Sequence, residues 1–358
     1  MHRGNNRLII LTPGFPRDEG DTTCLPFLQN FIRELNTQFP LLDLDILTFE
    51  YPFIRGDYQW NKNEVFSFNG WKKKGFKKLF IWLRIWVKMK KIVRRNQVLG
   101  ILSLWCNECA FLGNRFAKRN HLPHFCWIQG QDAKKGNKYV SRIKPSETEL
   151  IALSDFIQEE FQRNHGIRPK FIIPVGIRAA EFTGVNTARD IDILGVGSLI
   201  PLKQYHLFIE IIYNIRQHFP EIKALLCGKG PEEDKLKMLL EKYDLQKNIT
   251  LTGELTHEEI LRTMSRSKVF LHPSKYEGLG VVCIEALYAG CHVISFVQPM
   301  NRDIKHWNIV QTEKQMFEKT RGILFDPETV YEPVLTFTSG ESAQEIIRLF
   351  NYKELMSS

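Results

Sequence analysis

Two carboxylates in one short stretch are the residues best suited to chemistry. Glu277 and Glu285 stand eight positions apart in Pro273-Ser274-Lys275-Tyr276-Glu277-Gly278-Leu279-Gly280-Val281-Val282-Cys283-Ile284-Glu285-Ala286. A Gly-x-Gly lies between them, just before an apolar run with the length of a short helix. The glycines permit close approach to the backbone, and a helix start offers unpaired N–H groups to an anion. Carboxylates accept hydrogen bonds from neighbouring hydroxyls, such as those of a sugar or a ribose. Eight residues of continuous helix would separate the two acids by ~12 Å and rotate them by about 80°. The pattern therefore suits an elongated ligand with hydroxyls at two places and an anionic middle. The plain alternative is a turn and a helix with an incidental glutamate.

Those residues must be carried by strands and helices, and the second half of the chain supplies them in regular alternation. Strands are expected at 191–196, 222–227, 249–252, 268–271 and 292–296, with helices at 205–218, 232–243, 257–265 and 282–289. Such alternation argues for a parallel sheet covered on both faces, with ligands at the carboxyl ends of its strands. In the first half, strands are expected at 7–12, 42–48, 98–104, 124–128, 151–153 and 170–173, and residues 51–70 carry no clear pattern. Two such sheets in tandem suit a 358-residue chain and would leave a cleft between domains.

The charge is uneven. The chain has 49 Lys/Arg and 40 Asp/Glu, a net +9. Residues 1–175 hold +12 and the remainder −3. No acid occurs between Glu64 and Glu108, a gap that contains Lys72, Lys73, Lys74, Lys77, Lys78, Arg84, Lys88, Lys90, Lys91, Arg94 and Arg95, interleaved with Trp71, Phe76, Phe80, Trp82 and Trp86. Three readings stand open: an amphipathic helix on an anionic membrane, anchored by Lys72, Lys73, Lys74, Lys77, Lys78, Trp82 and Trp86; a core-packed helix with a solvated basic face; and an RNA-binding stripe. The run Leu79–Val87 is too short, and too broken by Arg84, to span a bilayer. The amino-terminal residues have no secretory pattern, and seven scattered cysteines suggest reduced thiols in cytoplasm.

Several segments together resemble the retaining glycosyltransferases of family 4 (group 1), whose signature is E-x7-E. Besides Glu277 and Glu285, Val196-Gly197-Ser198-Leu199-Ile200-Pro201-Leu202-Lys203 resembles the glycine loop after the first donor-domain strand, and Leu226-Cys227-Gly228-Lys229-Gly230-Pro231 the second. Thr252-Gly253-Glu254, His257 and Pro174-Val175-Gly176-Ile177 follow the same order; Gly14-Phe15-Pro16 and Trp127-Ile128-Gln129-Gly130-Gln131-Asp132 match more loosely.

The resemblance implies an α/β chain of the GT-B fold, two facing Rossmann-like doubly wound domains. Residues 1–175 would bind the acceptor and 176–340 the nucleotide-sugar donor, while 341–358 would form a helix returning to the first domain. It implies a metal-independent transferase without a cofactor, moving a sugar from a nucleotide diphosphate to a hydroxyl with retention. The acceptor would be a glycan or lipid-linked glycan of bacterial surface polysaccharide. The expected place is the cytoplasm, peripheral on the inner face of the membrane, with no nucleic-acid partner. By resemblance Glu277, Lys203 and Asp132 are catalytic, Lys203 neutralising the departing diphosphate. Glu285, Gly278, Leu279, Gly280, Gly197, Ser198 and Gly228 hold the donor, and Gly14 and Gln129 face the acceptor. Asp132 is equally readable as a helix cap. Two positions depart from the family: Ser198 replaces a frequent Arg, leaving a second cation to Lys229, Arg262 or Arg266, and Gln129 replaces a frequent His. These departures keep two rivals open, namely an epimerase or phosphorylase on the same fold and a non-catalytic sugar-nucleotide-binding or membrane scaffold protein.

Other signals are discounted. Glu233 breaks a dinucleotide G-x-G-x-x-G after Gly228, and the lone Cys106-x-x-Cys109 lacks a second pair for zinc. The D-x-D triplets at Asp43/Asp45 and Asp190/Asp192 are expected on solvated strand edges. His257 and His272 are expected to pack or cap.

Overall fold

The computed structural model describes residues 6–182 and 188–352. The chain divides into two compact units, one of residues 1–176 with 339–358 and one of residues 177–338.

The second unit is built on six parallel strands, β9 (Ile191–Val196), β10 (Ala224–Cys227), β11 (Ile249–Gly253), β12 (Ser267–His272), β13 (His292–Ser295) and β14 (Trp307–Ile309), which follow the eight strands of the first unit in the chain. Their spatial order is β11-β10-β9-β12-β13-β14. This is the doubly wound order in which the chain builds outwards from one strand and then restarts on its other side. Buried on both faces, the central strands read as mainly apolar runs such as Ile-Asp-Ile-Leu and Val-Phe-Leu. Ile193, Val269, Leu271 and Ile294 share one core with helices α6 (Tyr205–Arg216), α7 (Glu233–Lys242) and α10 (Glu313–Phe325), numbered after the first unit's five. The alternate residues Leu194, Phe270 and Val293, also buried, point the other way, towards α8 (His257–Ser265) and α9 (Val281–Tyr288).

The first unit has β1 (Arg7–Gly14), β2 (Asp43–Tyr51), β3 (Gly56–Trp60), β4 (Asn63–Ser67), β5 (Val98–Leu104), β6 (His124–Ile128), β7 (Leu150–Ala152) and β8 (Phe171–Ile172), in the order β3-β4-β2-β1-β5-β6-β7-β8. Only β3 runs antiparallel to its neighbour, as the outer arm of a hairpin. That hairpin occupies the stretch where no pattern was expected. Its helices are α1 (Pro26–Gln38), α2 (Gly75–Arg95), α3 (Glu108–Asn120), α4 (Lys138–Ile143) and α5 (Asp155–His165). The carboxyl-terminal helix α11 (Ser339–Leu349) packs on α1, and Ser342 donates to the Pro174 carbonyl at 2.7 Å. Beyond it, Phe350 fills a notch over Gly100 and meets Phe125 edge-on at 5.0 Å.

In each D-x-D triplet one acid departs from the expectation of solvated edges: Asp43 is partly exposed and Asp190 exposed, whereas Asp45 and Asp192 are buried. Asp45 is fully buried and bound to Arg7 at 2.8 Å, and burial pushes its carboxyl up to about 6. Asp192 is buried against Lys268 at 2.8 Å. Both acids tie neighbouring strands together, so burial and pairing go together as they must for interior charge.

In the second unit, glycines set how closely strand-end loops approach. A Cβ on Gly228 would lie 2.0 Å from the Gly197 carbonyl oxygen, and one on Gly230 2.4 Å from that of Leu199. Gly228 also has φ +142°, which L side chains rarely adopt. We expect Gly228→Ala to cost roughly 2–4 kcal/mol, through backbone strain and displacement of the neighbouring loop. A denaturant titration checks this, and a midpoint within error of the parent would contradict it.

Candidate active site

The sheet order places β9 beside β12, and the loops leaving their carboxyl ends run to opposite faces. Doubly wound sheets open a crevice at this point. After β9 come Gly197 and Ser198, then a tight 3-10 turn, Pro201–Lys203. After β12 comes the loop Pro273–Gly280. The two loops are stitched together: the Lys275 amide donates to the Leu202 carbonyl at 3.1 Å and the Ser274 hydroxyl to the same oxygen at 3.4 Å. Gln204, in a left-handed conformation (φ 51°), ends the 3-10 turn and starts α6. Lys203 is thereby held at the start of α6 and facing the β12 loop.

The result is a three-residue cluster. Lys203 Nζ donates to Glu277 Oε1, and His272 Nε2, from the last residue of β12, lies 3.1 Å from the same oxygen. Burial works to raise the Glu277 carboxyl, but the His272 hydrogen bond and the Lys203 charge outweigh it and hold it at about 2. His272 is buried, and desolvation with the nearby lysine lowers its pKa despite the glutamate, so its ring is neutral at pH 7. A carboxylate only accepts, which places the His272 proton on Nε2 and leaves Nδ1 as an acceptor. That Nδ1 is buried without a hydrogen-bond partner, as is the Tyr205 hydroxyl, which sits 2.8 Å from where a Gly197 Cβ would be.

A second acid–histidine pair lies on α8 and α9. Gly280, at φ +73°, turns the chain into α9, and Gly278 and Leu279 are buried just before it. Glu285 is buried on α9 and takes a 2.8 Å hydrogen bond from His257 Nε2. His257 opens α8, which is fixed by a capping box between Thr256 and Glu259. Its other ring nitrogen is 3.8 Å from Glu181. His257 and His272, expected only to pack or cap, are thus the direct partners of the two signature glutamates. The available signal was their place at a helix start and a strand end; the sequence carried no sign of their partners.

Ser198 is exposed beside this cluster. Of the three cations considered to accompany Lys203, Arg266 binds Asp190 at the amino-terminal edge of the sheet, and Arg262 binds Glu258 within α8. Lys229 alone leaves a strand's carboxyl end. It is exposed, its stem lies over Gly253, and it makes no ion pair among the described residues.

The first unit gathers its own expected residues at the carboxyl ends of β1, β5 and β6. Gly14 ends β1, packed 3.3 Å (from an added Cβ) against Tyr51. Gln129 donates weakly to the Trp127 carbonyl at 3.4 Å. Asp132, expected among the catalytic groups, is instead a buried loop tie: it accepts from the amides of Cys106 (2.6 Å), Gly130 (2.8 Å) and Gln129 (3.2 Å). Burial raises its pKa, and those backbone donors draw it back. With its oxygens taken by backbone N–H groups, it corresponds to the capping reading. Trp82 and Trp86, expected as membrane anchors, are turned towards α3. Trp82 donates to Glu108 at 2.7 Å and Trp86 meets Phe116 edge-on at 4.9 Å. Lys78 also binds Glu108, at 3.0 Å. Lys72, Lys73, Lys74 and Lys77 are exposed.

Because the depressed Glu277 pKa depends on Lys203 and His272, Lys203→Ala should raise it, read from the side-chain carboxyl resonance in a pH titration. Its contribution to stability is full above the ordinary glutamate pKa and is lost as pH falls through about 2. The stability deficit of Lys203→Ala should therefore be larger at pH 7 than at pH 2. An unmoved resonance would separate the two residues.

Comparison with known proteins agrees with this geometry. Residues 180–329 match the family described as "Glycosyl transferases group 1". The gpi3 subunit of phosphatidylinositol N-acetylglucosaminyltransferase from Schizosaccharomyces pombe is 28% identical over 44% of this chain and 36% of its own length. A human phosphatidylinositol N-acetylglucosaminyltransferase subunit is 25% identical over 58% of this chain and 46% of its own. The chain thus spans less than half the length of these curated relatives. Among solved structures, a glycosyltransferase from Rickettsia africae aligns with TM-score 0.68 at 13% identity, over 97% of this chain and 98% of that one. An Anabaena HepE structure in complex with UDP and glucose aligns with TM-score 0.60 at 15% identity, over 96% and 97%. The chain therefore has the GT-B fold, and residues 180–329 of its second unit resemble the group 1 glycosyl transferases.

Proposed function

We propose that the protein is a retaining, metal-independent glycosyltransferase that moves a sugar from a nucleotide-diphosphate sugar to a hydroxyl of a glycan or lipid-linked glycan in bacterial surface-polysaccharide synthesis. The observation that carries this reading is the Lys203–Glu277–His272 cluster at the β9/β12 switch point, with Glu285 and His257 alongside. The relatives' names support it, since several are N-acetylglucosaminyltransferases. The Anabaena structure, with UDP and glucose, supports a uridine diphosphate sugar as the first donor to try.

In this reading each residue has a physical task. A pKa of about 2 makes Glu277 a poor proton acceptor at neutral pH, where a base should titrate near the working pH. Its task is to accept hydrogen bonds from donor hydroxyls and to place fixed negative charge near the positive carbon as the glycosidic bond to diphosphate breaks. Lys203 has two further N–H bonds beyond the one given to Glu277, and these suit the departing diphosphate. Glu285 accepts from the ribose, held in place by His257. Backbone N–H groups at Gly278–Gly280 and the start of α9 meet the phosphates. The basic surface of α2 supports a place on the inner face of the membrane, reached from the cytoplasm.

A non-catalytic scaffold is the second reading, favoured by exposed Ser198 where a cation is frequent. Incubation with a panel of nucleotide sugars separates the two. The transferase releases nucleotide, faster with lipid-linked glycan extracts and unchanged by a chelator. Glu285→Ala should weaken nucleotide affinity about tenfold or more in calorimetry, the worth of a charged hydrogen bond. Lys203→Ala should lower turnover on the order of 10²-fold. Normal donor affinity and turnover in a folded Glu285→Ala protein would sink the assignment.

A further inference from the structure

α2 presents apolar residues on two faces, and only one is used by the fold. Ile81, Ile85, Met89 and Ile92 are buried, and Trp82, Lys78 and Trp86 bind it to α3 through Glu108 and Phe116. The opposite face carries Phe76, Leu79, Phe80, Leu83 and Val87, a helical spacing of i, i+3, i+4, i+7 and i+11. These side chains are 91%, 59%, 53%, 56% and 44% exposed. The ridge continues at the helix start, where Trp71 meets Phe53 at 5.8 Å beside exposed Ile54. Soluble proteins seldom leave so long an apolar row to water unless something covers it.

Beside the ridge is a cavity of about 790 Å³ between α2 and β3, to which Leu83 and Val87 contribute walls. Its cations are Arg55, Arg84, Lys88 and Lys91. Lys88 is matched by Asp57 at 2.8 Å. Arg55, Arg84 and Lys91 have no carboxylate partner among the described residues, and Arg84 is braced over the Phe80 ring at 4.2 Å. A cationic site suited to an anion therefore opens directly onto the apolar ridge.

We propose that this face of α2 seats on an anionic lipid bilayer, with the Phe76–Leu83 ridge among the headgroups and upper acyl chains and a lipid phosphate in the Arg55/Arg84/Lys91 cavity. Charge complementarity selects this occupant. The stretch from residue 65 to 107 has eleven cations and no acid, which suits an anionic surface. RNA would pair with those cations but gains little from Leu79, Leu83 and Val87. A partner protein's apolar helix would cover the ridge and leave the cavity cations unmatched. No helix among the described residues is long and apolar enough to cross a membrane, so the arrangement is a helix lying in the interface. The inference rests on the peripheral placement proposed above and is independent of the transfer chemistry.

Vesicle flotation of the full chain tests it, with phosphatidylcholine alone and with 30% phosphatidylglycerol added. The parent should float with the anionic vesicles at least tenfold better, and less well as salt screens the cations. Phe80→Ser/Leu83→Ser should lose at least tenfold on anionic vesicles. Arg84→Glu/Lys91→Glu should lose the preference for anionic lipid, at roughly fivefold or more per cation. Phe325→Ser, on an exposed site of the second unit, should float like the parent. No binding to either vesicle overturns both this inference and the peripheral placement. Parent-like flotation of the ridge variant overturns this face alone. Displacement of the vesicles by an RNA oligonucleotide assigns the cations to nucleic acid and overturns it as well. Nucleotide binding by calorimetry on each variant reports separately on folding and on the donor reading.

Discussion

A carboxylate removed from water keeps its charge only when something else in the protein supplies what water supplied. For Glu277 that is one ammonium and one imidazole, both directed at the same oxygen. Much of the second unit's local architecture serves this contact. The histidine must be the last residue of β12, the lysine must end the turn after β9, and the two strands must be neighbours. Only the doubly wound order, which restarts beside its first strand, brings those two ends together. The backbone stitches from Ser274 and Lys275 to Leu202 then fix the loops, and Gly197, Gly228 and Gly230 let the β9 and β10 loops close without side chains between them.

Two glutamates that look equivalent in the sequence acquire different characters from their partners. Glu277 meets a cation and the N–H of a neutral ring, so it is a fixed anion over any ordinary pH. Glu285 lies within α9 and meets a histidine that is itself poised between two acids, Glu285 and Glu181. The spacing of eight residues spans a loop and a helix start, with α9 beginning only at Val281, so the distance between the acids is set by the Gly-x-Gly turn and not by continuous helical geometry.

The parts of this structure that could be read from the chain are those governed by local pattern. Strands such as Ile191–Val196 and Ser267–His272 are covered on both sides, so they appear as apolar runs ended by glycine or proline, and the glycine loops follow them directly. The β3–β4 hairpin was hidden because most of β3 is exposed and its apolar content is low. Asp45 and Asp192 looked like edge residues because nothing local shows that Arg7 and Lys268 arrive from elsewhere. The same limit applies to α2. Its apolar residues fall on more than one stripe, and only the position of α3 determines that Trp82 and Trp86 turn inwards while Phe76 and Phe80 turn out. Asp132 could be either a reactive acid or a cap until its three backbone donors were seen.

The placement of charge follows from the same economy. Lys203 is already matched by Glu277, so the pair brings almost no net charge to the crevice, and Ser198 adds none. Beyond the Lys203 N–H bonds not given to Glu277, the proposed diphosphate is left to groups that carry no formal charge, together with Lys229, which makes no ion pair among the described residues. This gives Gly278 and Gly280, on either side of the buried Leu279, a reason beyond flexibility, since they put no side chain before the N–H groups that start α9. A site that depends on backbone dipoles needs few cations, and the second half of the chain is indeed slightly acidic. The basic surplus lies instead on and just before α2, where long side chains in water suit the proposed surface of spread negative charge. There, number and reach matter more than exact placement, which fits eight cations on α2 and three more just before it, against the two lysines, Lys203 and Lys229, at strand ends of the second unit.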